Sequence, residues 1–98
     1  MITPTHPGEI LKEEFMLPYE LSANKLALRI AVPTNRITAI IAGNRGITAD
    51  TALRLSDAFK TTPEFWMNLQ DHFDLNVARQ VERPKIKAVA AVKNNAVA

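Results

Sequence analysis

From His6 to about residue 81, apolar residues recur every three or four positions, the spacing that gathers them on one face of an α-helix. Strand-type alternation of Val, Ile and Thr does not occur before residue 85. Capping residues divide this stretch into five helices. Pro7 suits a first helical position, after which Ile10, Leu11 and Phe15 share a face until Pro18 stops the run. Ser22 suits the N-cap of a second helix whose buried side is Ala23, Leu26, Ala27 and Ile30. A third helix begins about Pro33, buries Ile37, Ile40 and Ile41, and ends at Gly43, which fits a left-handed C-cap. Thr48 caps a fourth, with Ala52, Leu55 and Phe59 on one stripe. Thr62-Pro63-Glu64 opens the fifth with a cap, an N1 proline and an acid favourable to the helix dipole. The pattern predicts an all-α domain of five helices over residues 1–81. Residues 82–98 differ in kind: from Pro84 onward Ala, Val and Lys dominate and no aromatic could anchor a core, which predicts a flexible or weakly helical tail.

Length and composition narrow the function. A chain of 98 residues holds one core, and the absence of Cys excludes disulfides, thiolate metal sites and a thiol nucleophile. Three Gly form no phosphate-binding loop. The best catalytic constellation, Asp71, His72 and Asp74, does not share one helix face and has no third metal ligand or nucleophile beside it. No enzyme activity, metal or cofactor is expected. The longest apolar run is five residues, 88–92. That falls short of the ~18 of a membrane span, and no secretory segment follows Met1, so a soluble cytoplasmic protein with no membrane partner is expected.

The net charge of +2 conceals a pattern. Residues 1–20 carry −3, 21–60 carry +4, 61–81 carry −2 and 82–98 carry +3. Residues 21–49 contain Lys25, Arg29, Arg36 and Arg45 and no acid. Such a segment attracts phosphates, although a solvated helix face with scattered cations has the same composition.

Helices two and three meet in only a few residues around Ala31-Val32-Pro33, a connection suited to the steep crossing of a helix-turn-helix. Ala27 is small where the helices approach, Val32 plugs the turn, and Ile37 and Ile40 face the core. The opposite face of helix three presents Asn35, Thr38, Ala39 and Ala42, flanked by Thr34 and Arg36. These are side chains that fit the major groove, which is about 12 Å wide, and that offer amide, guanidinium and methyl groups to base edges. Ser22, Asn24 and Lys25 at the start of helix two, and Asn44 and Arg45 after helix three, are candidate phosphate anchors. An ordinary amphipathic pair whose polar residues face water has the same spacing. Residues 22–58 contain no aromatic. Single-strand binders use aromatic platforms, so duplex DNA fits this basic segment better.

The runs HPGEILKEEF (6–15), LSANKLALRIAVPTNRITAIIAGNRGITADTALRLSDAF (21–59) and TPEFWMNLQ (62–70) resemble the HigA-type antitoxins, members of the lambda-repressor-like helix-turn-helix group. The resemblance implies a five-helix lambda-repressor-like domain from a type II toxin–antitoxin module. An antitoxin dimer would bind double-stranded operator DNA, repress its own operon, and neutralise a HigB-type toxin, a ribosome-dependent mRNA endonuclease. It implies a recognition helix over residues 33–42, with Thr34, Asn35, Arg36 and Thr38 toward bases. Phosphate contacts would fall on Ser22, Asn24, Lys25, Asn44 and Arg45. A repressor without a toxin partner, and a toxin-neutralising protein without DNA binding, are the alternatives. The sequence departs from its relatives at Ala31 and Lys60, where Gly is common. A left-handed backbone there would cost about 1–2 kcal/mol.

In the fifth helix Phe65, Trp66, Leu69, Phe73, Val77 and Val81 span an arc of about 160° at 100° per residue. An arc this wide can serve both a core and a partner. The expectation is a homodimer contacting through Trp66, Leu69 and Phe73, with recognition helices about 34–36 Å apart. Glu9, Glu13 and Glu14 on the acidic first helix, and Leu28, are candidate toxin contacts.

Overall fold

The structure, a computed structural model, describes residues 3–90. It contains α1 (Pro7–Ile10, continued as a π-helical segment Leu11–Met16), α2 (Ala23–Ile30), α3 (Thr34–Ile41), α4 (Ala49–Phe59) and α5 (Pro63–Gln80). No strand occurs among the described residues. Residues 82–90 carry no helix, and the rest of the expected tail lies outside the described residues.

The side chains of Ser22, Thr48 and Thr62 accept from the backbone N–H groups of Lys25, Thr51 and Phe65, capping α2, α4 and α5 as their sequence positions require. The cap of α1 is His6, whose Nδ1 accepts the Gly8 N–H at 2.8 Å. Three left-handed residues close turns: Glu20 at φ 55°, Ala31 at φ 59° and Lys60 at φ 61°. Ala31 and Lys60 therefore adopt the strained conformation in place of bending the turns differently. Gly43 at φ 82° follows the C-cap of α3 without that strain.

The π-helical segment departs from the expected α-helix. Leu11 and Met16 are both core residues. Five positions apart in an α-helix, they would point about 140° away from each other. The wider i→i+5 turn, visible as Leu17 N–H donating to the Lys12 carbonyl at 3.0 Å, lets both side chains reach the core.

The core comprises Leu11, Met16, Leu26, Ala27, Ile30, Ile37, Ile40, Ile47, Ala52, Leu55 and Trp66. It forms where α2 packs on α3 and α4, α4 on α5, and α1 on α3 and α5. Gly8 lies so close to the Ile40 carbonyl that any Cβ there would collide with α3 backbone. Trp66 is fully buried. Its ring lies 4.9 Å from Phe15 and 5.0 Å from Phe65, and its Nε1 donates to Thr61 Oγ1 at 2.8 Å. The expected dimer role of Trp66 is thereby corrected: a side chain with no exposed area has none to offer a partner. Leu69 and Phe73 are half-buried, Leu69 packs on the core, and Phe73 meets the edge of His6 at 4.8 Å. On the expected arc of α5, Val77 and Val81 are exposed, as is Leu75 beside them.

Candidate nucleic-acid interface

The turn between α2 and α3 is built from backbone hydrogen bonds that a left-handed residue makes available. With Ala31 left-handed, Val32 N–H donates to the Ala27 carbonyl at 3.0 Å and Ala31 N–H to the Leu28 carbonyl at 3.3 Å. This pair closes the end of α2 and redirects the chain within three residues. Buried Ala27, Ile37 and Ile40 then seat α3 against α2. The opposite face of α3 stands outside that contact, with Thr34, Asn35 and Thr38 exposed.

Two of the expected anchors organise the start of both helices. Asn24 Oδ1 accepts from Thr34 Oγ1 at 2.9 Å, joining the first turn of α2 to that of α3. Ser22 Oγ accepts the Lys25 N–H at 3.1 Å, and its own hydroxyl proton is left to donate. Lys25, Asn44 and Arg45 are exposed. Thr38 Oγ1 donates to the Asn35 carbonyl at 3.3 Å, a contact within the helix that leaves the Asn35 amide uninvolved. The structure thus brings Ser22, Asn24, Lys25 and Thr34 together at one end of the helix pair. Asn44 and Arg45 lie beyond the other end of α3.

Arg36 differs from its companions. Its Nη1 lies 2.7 Å from Asp50 Oδ2, its side chain is only 23% exposed, and its Nε is buried without a partner. Expected beside Thr34, Asn35 and Thr38 as a base-reading group, its guanidinium is instead committed to α4. Arg54 reaches the same carboxylate, its Nε 3.1 Å from both Asp50 oxygens. Arg54 Nη1 also donates to the carbonyls of Ile30 at 2.8 Å and Ala31 at 3.2 Å. It therefore satisfies acceptors left open at the end of α2 and at the left-handed turn residue. The hydrogen bonds from Arg36 and then Arg54 hold the Asp50 carboxyl below its ordinary value of 3.8.

Neither Asp50 nor Arg54 was singled out from sequence. Their i, i+4 spacing and the position of Asp50 in the first turn of α4 were the available signals, but both describe many ordinary helices. Contact with Arg36 and with the end of α2 depends on how three helices assemble. Of the candidate toxin contacts, Glu9, Glu13, Glu14 and Leu28 are all exposed, Leu28 at 75%. Among the described residues no group of three or more His, Asp or Glu could hold a metal ion, and no helix is long and apolar enough to cross a membrane.

No family model matches the chain. Antitoxin HigA-1 of Vibrio cholerae is 39% identical over 72 residues, which is 74% of this chain and 68% of that protein. Among solved structures, antitoxin GraA aligns with a TM-score of 0.79 and 49% identity, covering 82% of this chain and 86% of its own. The Pseudomonas aeruginosa antitoxin HigA, solved with the higBA promoter, aligns at 0.75 and 38% identity, covering 81% of this chain and 96% of its own.

Proposed function

The chain belongs to the HigA-type antitoxin family of helix-turn-helix proteins, and from that premise we propose that it is an operator-binding antitoxin. It is not an enzyme. As a homodimer it occupies double-stranded operator DNA and represses its own operon; by direct binding it neutralises a HigB-type mRNA endonuclease. The observation that carries the DNA half is the exposed face in the N-terminal half of α3, presenting Thr34, Asn35 and Thr38 on a helix whose other face is buried. The amide of Asn35 suits bidentate pairing with adenine, and each threonine offers a methyl to thymine, its hydroxyl proton being donated to Asn24 or to the Asn35 carbonyl. Ser22, Asn24, Lys25, Asn44 and Arg45 supply phosphate contacts at either end of the pair. The promoter complex of the Pseudomonas aeruginosa antitoxin supports this reading.

The dimer forms through the outer part of α5, where exposed Val77, and exposed Val81 at the C-cap, follow half-buried Leu69 and Phe73. Residues 1–81 form the binding domain and 82–98 an appendage. The protein works in the cytoplasm, where operator DNA and a ribosome-dependent toxin are both met. Expression beside the product of the neighbouring reading frame tests the toxin half: the two proteins co-purify and growth is restored. Toxicity unchanged by this chain, with upstream DNA still bound, would leave a repressor without a toxin partner.

A further inference from the structure

One exposed carboxylate joins three helices. Asp50 on α4 receives Arg36 from α3 and Arg54 from its own helix, and Arg54 extends to the last carbonyls of α2. We propose that Asp50 is a positioning residue for DNA recognition: through Arg36 and Arg54 it sets the angle of α3 against α2, so operator selectivity depends on an acid that touches no DNA.

The inference rests on the operator-binding reading above and adds to it the roles of Asp50, Arg54 and Arg36. Arg36 lies in the first turn of α3 with Thr34 and Asn35, shortly before Thr38 at the end of the exposed row, so its tether to α4 acts where base contacts are made. The tether needs a carboxylate, because Asp50 accepts from two guanidinium groups at once and Arg54 engages both of its oxygens. A neutral amide has one acceptor oxygen and cannot repeat this arrangement. The half-buried Arg36 side chain, with its Nε enclosed and unpartnered, is held against protein rather than extended toward solvent. The left-handed Ala31 carbonyl, which Arg54 binds, lies in the turn through which any rotation of α3 would pass.

Simple electrostatics predicts the opposite outcome to positioning. An acid beside a DNA-binding face repels phosphates, so its removal alone would strengthen binding to every duplex. Positioning predicts divergence: Asp50→Asn weakens the operator complex while binding to unrelated DNA holds or rises.

The test titrates wild type, Asp50→Asn and Asp50→Glu against two duplexes of equal length. One carries the DNA immediately upstream of the chain's own reading frame, and the other is a scramble of it. The wild type prefers the upstream duplex, Asp50→Asn lowers that preference about tenfold or more, and Asp50→Glu restores part of it. Asp50→Asn with an unchanged preference, or tighter binding to both duplexes alike, overturns the positioning role and leaves the operator reading intact. A wild type without preference removes the operator reading and this inference with it. A matched circular-dichroism spectrum and melting curve show whether Asp50→Asn is folded under assay conditions. If it is not, Arg54→Lys, which keeps the charge and loses the fork, carries the same comparison.

Discussion

The amide oxygen of Gln70 on α5 accepts a 2.7 Å hydrogen bond from the buried backbone N–H of Ile47, 23 residues away on the loop after α3. The other end of that amide donates to Asp74 at 2.9 Å. Gly46 sits against the same side chain, 3.0 Å separating a Cβ built there from the Gln70 amide. The loop is thereby held to α5 by one side chain. Gln70→Leu has similar volume but leaves the buried Ile47 N–H without its acceptor, at a cost of about 1–3 kcal/mol. Urea unfolding followed by circular dichroism measures the loss.

Relief of backbone strain should work in the other direction. Ala31 and Lys60 hold left-handed conformations that glycine enters without a Cβ clash. Lys60→Gly raises stability by about 1 kcal/mol or slightly less, because glycine also loosens the unfolded chain. Ala31→Gly, at nearly the same backbone angles, should gain a similar amount. The urea midpoints of the two variants check both.

Acid should loosen the start of α1 before it reaches the helix-turn-helix. His6 titrates below its ordinary 6.5, chiefly because burial disfavours the imidazolium, with nearby Asp74 pulling the other way. Its Nδ1 is an acceptor for Gly8, a role open only to the neutral ring on that nitrogen. A depressed pKa means that the contribution is fully present above 6.5 and is lost as pH falls through the folded value. Asp50, also depressed, gives up its contribution only below its ordinary 3.8. Stability of the wild type therefore falls as pH drops below 6.5, and His6→Asn, which keeps a capping side chain, flattens that part of the curve.

Buried and exposed residues separate along α5. Trp66→Ala removes a fully buried indole and should cost about 3–5 kcal/mol, enough to unfold much of a small domain. Val77→Glu changes an exposed position and should leave the fold intact while splitting the proposed dimer. Sedimentation equilibrium together with circular dichroism distinguishes the two; a Val77→Glu protein that remains dimeric places the interface elsewhere.

Much of this architecture was legible in residue order, because caps and prolines sit where helices begin. Ser22, Thr48 and Thr62 each performed the capping their positions implied, and Gly43 closed α3 as expected. Local signals missed what depends on assembly. Nothing in the order of residues 7–17 distinguishes a π-turn from an α-turn; the need to bury both Leu11 and Met16 does. Trp66 lay on an arc shared by core and surface, and only packing against Phe15 assigned it to the core. At the candidate interface, Thr34, Asn35 and Thr38 are exposed as the helical wheel implied. Arg36 is not, because its partner Asp50 lies 14 residues further along and meets it only once α4 has folded back. A wheel orients a side chain relative to its own helix and is silent about an ion pair with another.

The most direct test of operator recognition measures affinity for the upstream duplex and its scramble across a range of salt, for wild type and Asn35→Ala. Wild-type log K should fall with log salt by about 0.9 for each phosphate contacted. Asn35→Ala should lose about 1–3 kcal/mol on the upstream duplex while keeping its weaker affinity for the scramble. Affinity indifferent to salt, or a wild type that binds both duplexes equally, would contradict operator recognition.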